Sequence, residues 1–457
     1  MTTIKTFNPS DDSLLAEYPA LSSGELDSKL DIGVSAQRIW RKSSLDTRAA
    51  NLRALANLLR AEVDDHARMI SMEMGKPIVE ARAEVEKCAL TCDYYADHLH
   101  EYMTPRKVET ENKSSYVDYD PLGLVLAIMP WNFPYWQVIR FAAPTLAAGN
   151  GGLLKHAANV TGCALKIEDV INRAGFEPGL FQTLVLASHD TVSELIADPR
   201  IAAVTLTGSE RAGASVAAAA GKALKKTLLE LGGSDPFVVL DDANLETVTP
   251  LAVKARFVNG GQSCLCAKRF IVDQGVVGDF EGRLKAQVEA LVVGDPLDAK
   301  TQIGPLAKAQ FVDEIDSQVQ RSLAMGARLV TGGKRVGDVG NFYAPTILAD
   351  VTQDMPVFRE ETFGPILALV ASHGDEQALE MANDSQYGLA ASVWTSNPER
   401  GLKLGNQIEA GALFINKIVA SDPRLPFGGV KLSGYGRELA VEGLREFTNI
   451  KTVVVGN

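Results

Sequence analysis

The uncharged run over residues 122–139 constrains the fold more than any other stretch of this chain. It is long enough to raise the question of a membrane-spanning helix, but Pro130 and Pro134 lie inside it and would break one. What remains is a wholly apolar strand over 122–129, the turn Pro130-Trp131-Asn132-Phe133-Pro134, and a helix to about residue 148. A strand apolar on both faces belongs in a parallel sheet covered by helices. The pattern repeats, with strands at 152–155, 181–186 and 202–207 alternating with helices at 162–173 and 192–197. This alternation predicts an α/β fold with a doubly wound parallel sheet.

A chain of 457 residues has room for two or three packed units. Upstream, Phe7-Asn8-Pro9 opens an extended arm, and residues 30–68 and 78–99 carry helical spacing on either side of Gly75-Lys76-Pro77. Residues 103–119 are polar and β-leaning, as expected of an edge strand or an oligomer arm. The net charge of -12 disfavours nucleic acid or an anionic membrane as partner, because the summed field repels both. Five cysteines, an odd count with no signal peptide, fit a reducing cytoplasm. Cys88 and Cys92 stand four apart without further ligands nearby, which favours core packing over a metal site.

Chemistry concentrates in a few turns. In residues 257–269, Gly260 and Gly261 precede Cys264, and paired glycines let the backbone fold tightly enough for a sulfur and an amide to face one reacting atom. The alternative for a lone cysteine is small apolar filler. Glu230 ends the apolar strand Thr227-Leu-Leu-Glu230, just before Gly232 and Gly233. Burial there would push its carboxyl towards the range of a general base at neutral pH; the alternative is a strand-end salt bridge. Gly208-Ser209-Glu-Arg-Ala-Gly213 opens a helix after a strand, where free amides suit a pyrophosphate, although no Gly-x-Gly-x-x-Gly occurs in the chain. A second α/β pattern begins at Asp235; Glu361 runs into a strand over 366–370, and residues 451–456 read as a terminal strand.

In order along the chain, Pro130-Trp-Asn-Phe-Pro134, Thr207-Gly-Ser209, Glu230-Leu-Gly-Gly233, Gly261-Gln-Ser-Cys264, Glu360-Glu-Thr-Phe-Gly-Pro365 and Pro426-Phe-Gly-Gly429 resemble the motifs of the aldehyde dehydrogenase superfamily, at its spacing. The resemblance covers essentially the whole chain. It implies a dinucleotide-binding domain over 1–102 and 122–232, and a catalytic α/β domain over 233–435. It also implies a small β oligomerisation arm over 103–121 and 436–457, serving a homodimer or homotetramer. By the same resemblance, Cys264 as thiolate attacks an aldehyde, while the Asn132 amide and the Cys264 N–H hold the oxyanion. Glu230 then activates the water that hydrolyses the thioester. The implied cofactor is NAD or NADP. Lys155 would lie at the adenosine ribose, Gly208 and Ser209 at the pyrophosphate, Glu361 at the nicotinamide ribose, and Trp131 and Phe363 close by. NAD-preferring members often carry a glutamate three residues after that lysine, and this chain has Ala158. Without that carboxylate a 2′-phosphate meets no repulsion, so NADP should be tolerated.

Arg140 is a charged residue in the otherwise apolar helix that follows the Asn132 turn. A buried arginine needs an anion, and a substrate carboxylate or a structural one would serve. In the succinate-semialdehyde branch of the family, an arginine and a serine at the positions of Arg140 and Ser421 hold the distal carboxylate. A second arginine, found in some members six residues before the nucleophile, is Val258 here. Cys266 resembles the second cysteine with which some members of this branch form a reversible disulfide. The expected substrate is succinic semialdehyde, the alternative a broader aliphatic or glutarate-semialdehyde specificity. A cysteine hydrolase would want a histidine base, and His66, His98, His100, His156, His189 and His373 all lie away from these turns.

Overall fold

In the computed structural model, which describes residues 2–188 and 190–457, the apolar run folds as the strand Leu124–Met129 within a six-stranded sheet. Its neighbours Gly151–His156 and Ile201–Thr207 run parallel to it, and Leu124 to Ala127 are buried on both faces. Phe181–Thr183 extends one side and Lys226–Glu230 the other, both parallel, and Gly434–Tyr435 closes the latter edge antiparallel. The direction of winding reverses between Leu124–Met129 and Ile201–Thr207, and the crevice outside the carboxyl ends at such a point is where doubly wound folds take ligands. Three of the motif turns leave from those carboxyl ends: Trp131-Asn132, Gly208-Ser209 and Gly232-Gly233.

A short crossing, residues 231–234, carries the chain from Lys226–Glu230 into Asp235–Val239 of a second sheet. That sheet has seven strands, in the order Arg328–Thr331, Thr346–Ala349, Ile366–Ser372, Ala267–Asp273, Asp235–Val239, Ala390–Trp394 and Ala412–Ile415. Only Arg328–Thr331 is antiparallel. Alternate residues face opposite layers. Phe237, Phe270 and Trp394 stack on one face at 4.8 and 4.9 Å, while Val238, Ile271 and Val393 enter the core on the other. The carboxyl edge of the first sheet thus meets the amino edge of the second, where Cys264 stands just before Ala267–Asp273.

Thr448–Val455, Ser114–Pro121 and Arg106–Lys107 form a separate antiparallel sheet of three strands. Two expectations need correction. The amino-terminal arm is a hairpin, Thr3–Phe7 against Leu14–Pro19, because Asn8 makes a turn: its side chain accepts from the Ser10 amide at 3.0 Å and its carbonyl from Asp12 at 2.8 Å. The strand expected over 181–186 ends at Thr183, and the Val185 carbonyl accepts instead from the Leu21 amide at 2.9 Å. Among the described residues no helix is long and apolar enough to cross a membrane.

Candidate active site

The loop bearing Cys264 is built on left-handed backbone. After the helix Leu245–Phe257, Asn259, Gly260 and Gly261 adopt φ of 55°, 61° and 76°. Asn259 is not a glycine, so its conformation needs support from outside. Its amide donates to Glu80 at 2.7 Å, and its side chain donates to the Asn132 and Gln262 carbonyls at 2.8 and 3.0 Å. Gly261 is demanded by space as well, since a Cβ there would stand 2.2 Å from the Gly364 carbonyl oxygen. Buried Lys268 donates to the carbonyls of Ser263 and Cys264 at 3.1 and 3.0 Å and to Glu361 at 3.1 Å. The Cys264 carbonyl is therefore tied inward, and its amide donates to nothing among the described residues.

The Cys264 thiol is half-buried and free. Burial pushes its pKa up to about 12, opposed by the cations of Lys268 and Arg140. Asn132 faces the same loop in a fixed orientation. Its Oδ1 accepts from Gln137 at 3.1 Å, so its Nδ2 points the other way and donates to the Gln262 carbonyl at 3.1 Å, with its second hydrogen unassigned. The turn that presents Asn132 is braced by Glu84, which accepts from the amides of Tyr135 and Trp136 at 2.8 and 2.9 Å and so caps the helix Trp136–Ala147.

Glu230 is buried, with Oε1 lacking any partner, and it forms no ion pair among the described residues. Burial raises its carboxyl well above the usual range; the Glu438 charge raises it further, and Arg140 and Arg437 oppose both. The motif glycines seat these groups. A Cβ on Gly428 would stand 2.9 Å from Glu230 Oε1, one on Gly233 2.8 Å from the Cys264 carbonyl, and one on Gly232 2.7 Å from Glu361 Oε2.

Of the residues expected on the cofactor side, Ser209 caps the helix Glu210–Lys222, accepting from the Ala212 amide at 3.4 Å, and Gly208 donates to the Glu230 carbonyl at 3.0 Å. Trp131 stacks on Phe311 at 4.8 Å and meets Phe363 edge-on at 5.7 Å. Glu361 accepts from the Gly233 amide at 3.1 Å. Burial lowers the Lys155 ammonium, and Lys308 lies close enough to lower it further. Lys308, which follows the strand by more than a hundred residues of chain, was not readable as its neighbour.

On the substrate side, Arg140 pairs with Glu438, both side chains buried, and its Cζ lies 4.9 Å from the Phe427 ring centroid. A structural carboxylate is thus present beside Arg140, and the Arg140 charge acts on both Cys264 and Glu230. Ser421 Oγ accepts from Lys87 Nζ at 2.7 Å, and the same ammonium sits 4.1 Å from the Trp136 ring centroid. Little in the sequence marks Lys87 beyond its place on the helix Ile78–Met103 between the buried positions Glu84 and Thr91. Cys266 is buried and donates to the Val258 carbonyl at 3.6 Å. His66 contacts Tyr135, His98 the Tyr94 carbonyl and His100 Asp46, and His156 lies between the Met129 and Pro134 carbonyls. His189 lies outside the described residues.

Residues 1–453 match the aldehyde dehydrogenase family. The succinate semialdehyde dehydrogenase [NAD(P)+] of Escherichia coli is 48% identical over 98% of this chain and 97% of its own. A probable succinate-semialdehyde dehydrogenase [NADP(+)] of Synechocystis is 49% identical over 98% and 99%. The crystal structure of succinic semialdehyde dehydrogenase from Streptococcus pyogenes in complex with NADP+ superposes with a TM-score of 0.97 at 39% identity, covering 99% of this chain and 100% of that one. The chain belongs to the aldehyde dehydrogenase family.

Proposed function

We propose that this protein oxidises succinic semialdehyde to succinate with NAD or NADP. One observation carries the reading: the loop bearing a half-buried thiol has a free amide at Cys264 and the Asn132 side chain against it, and the charges of an unpartnered buried carboxylate and a buried arginine both act on that thiol. The names of the Escherichia coli and Synechocystis relatives support the same substrate.

The chain's residues fit a dinucleotide. Lys155 has no carboxylate partner among the described residues, so an anion there meets attraction only. The start of the helix Glu210–Lys222 offers first-turn amides, and Trp131 and Phe363 form an aromatic wall near Glu361. Lys155, Gly208, Ser209, Trp131, Phe363 and Glu361 would hold it. Bound NAD(P) supplies the hydride acceptor.

The Cys264 sulfur, once deprotonated, adds to the aldehyde carbon, and the new oxyanion takes hydrogen bonds from the Cys264 N–H and from Asn132. Each such donor is worth roughly 3–4 kcal/mol to the transition state. Loss of hydride from that carbon leaves a thioester on Cys264. Glu230 takes a proton from water, the resulting hydroxide adds to the thioester carbonyl, and collapse breaks the C–S bond to release the acid and the thiolate. Arg140 holds the distal carboxylate with the edge of its guanidinium not occupied by Glu438. The three-stranded sheet with Thr448–Val455 offers edges for assembly into a homodimer or homotetramer, and the five free thiols suit the reducing cytoplasm.

The test is steady-state kinetics with succinic semialdehyde, glutaric semialdehyde and butanal, each with NAD and with NADP. The reading requires the highest kcat/KM for succinic semialdehyde. Equal values for butanal would leave an aldehyde dehydrogenase of broader range.

A further inference from the structure

We propose that Lys87 is a second cation for the far carboxylate of the substrate, acting beside Arg140; this rests on the semialdehyde reading above. Lys87 contacts Ser421, the serine expected at the distal carboxylate, and the ring of Trp136, which follows the Asn132 turn. Its Nζ donates to Ser421 Oγ at 2.7 Å and lies 4.1 Å from the centroid of Trp136, the ring that Arg140 Cζ approaches at 6.0 Å. The two cations therefore stand around one indole. They differ in what they already hold: Arg140 is paired with buried Glu438, while Lys87 has no carboxylate at ion-pair distance among the described residues.

Lys87 also lines a cavity of about 820 Å³. Phe133 and Val258, chain neighbours of Asn132 and of the Cys264 loop, line it, whereas Cys264, Asn132, Arg140 and Ser421 do not. Its walls at Phe133, Trp136, Val253, Phe257 and Val258 are apolar, and its two carboxylates are already engaged, Glu80 by the Asn259 amide and Glu84 by Lys76. An ammonium held there costs free energy unless an anion joins it. The far carboxylate of a semialdehyde would supply that anion. Lys87 thus occupies, from a different helix, the role left open by Val258. The charged and titratable neighbours of Lys87 are Arg140, Glu84, Cys88 and Asp422, with Glu80 and Lys254 in the cavity wall. Burial and Arg140 together lower its pKa to about 8.

The experiment compares Lys87→Met, Lys87→Arg and the parent enzyme on succinic semialdehyde and butanal as a function of pH. In Lys87→Met the ratio of kcat/KM for the acid over the neutral aldehyde falls by roughly tenfold or more, mainly through KM, and Lys87→Arg restores most of it. In the parent that ratio declines as pH rises through about 8, where the ammonium is lost, and in Lys87→Met it is flat there. A Lys87→Met ratio equal to the parent's, with the parent still preferring the acid, would overturn the inference and leave the semialdehyde reading intact. A parent enzyme without preference for the acid overturns that reading and this inference with it. Should Lys87→Met fold poorly, Lys87→Arg decides through the pH profile: the decline near 8 must disappear, because a guanidinium does not titrate there.

Discussion

Arg140 and Glu438 form an ion pair with both side chains buried, and Glu438 is also the acidic neighbour that raises Glu230. The pair therefore links Arg140, the proposed carboxylate clamp, to Glu230, the proposed base. Glu438→Gln should have two effects. Leaving the Arg140 charge without its partner should cost about 3–5 kcal/mol of stability, read by chemical unfolding. Removing the charge that raises Glu230 should move the acid limb of the kcat profile to lower pH. An unshifted limb would mean that Glu438 does not act on the base.

The thiol of Cys264 is held protonated by burial, despite Lys268 and Arg140. Its thiolate fraction should then be small at neutral pH and grow roughly tenfold with each pH unit below the thiol's pKa. Alkylation of the cofactor-free enzyme by iodoacetamide, followed at Cys264, should accelerate in that manner from about pH 7 to about pH 9. A rate independent of pH over this range would mean that the thiolate is already formed.

The two glycines before Cys264 should not be equivalent. A Cβ on Gly261 would meet Gly364 O at 2.2 Å, whereas one on Gly260 would meet nothing nearer than Gln262 Nε2 at 3.6 Å. Gly260→Ala should carry only left-handed strain of about 1–2 kcal/mol. Gly261→Ala should lose more stability and most of its activity, since the Cys264 loop must move. Equal behaviour of the two variants in unfolding and turnover would contradict the loop geometry.

Cys266 is buried against the Val258 carbonyl, so pairing it with Cys264 requires the loop to open. We expect peroxide to stop turnover in the parent and dithiothreitol to restore it. In Cys266→Ser the oxidised Cys264 lacks a resolving thiol and should pass on to irreversible states, so recovery falls. Equal recovery in both would remove Cys266 from the redox chemistry.

Much of this site is legible in the chain because local rules set it. The apolar stretch at 124–129 can only be a buried strand, and the turns after it carry Trp131, Asn132, Gly208, Ser209 and Glu230 to one edge of one sheet. Groups brought in by tertiary packing left little trace. Lys87 and Ser421 are 334 residues apart and meet at 2.7 Å. Glu438 and Lys308 likewise gain meaning only beside Arg140 and Lys155. The Asn8 turn was missed for a different reason, since an asparagine side chain bonding two residues ahead closes a hairpin that the flanking extended residues alone do not announce.

In the proposed mechanism Cys264 becomes acylated and Glu230 is needed to release the acid. Glu230→Gln keeps the size of the side chain and removes the base, so hydrolysis should slow by roughly 10²–10⁴ while acylation proceeds. The measurement is a quench of Glu230→Gln after mixing with NADP and succinic semialdehyde, followed by mass spectrometry of the peptide bearing Cys264. The account predicts one equivalent of reduced cofactor per active site and the mass of a succinyl group on that peptide. Reduced cofactor formed over many turnovers with Cys264 unmodified would contradict it.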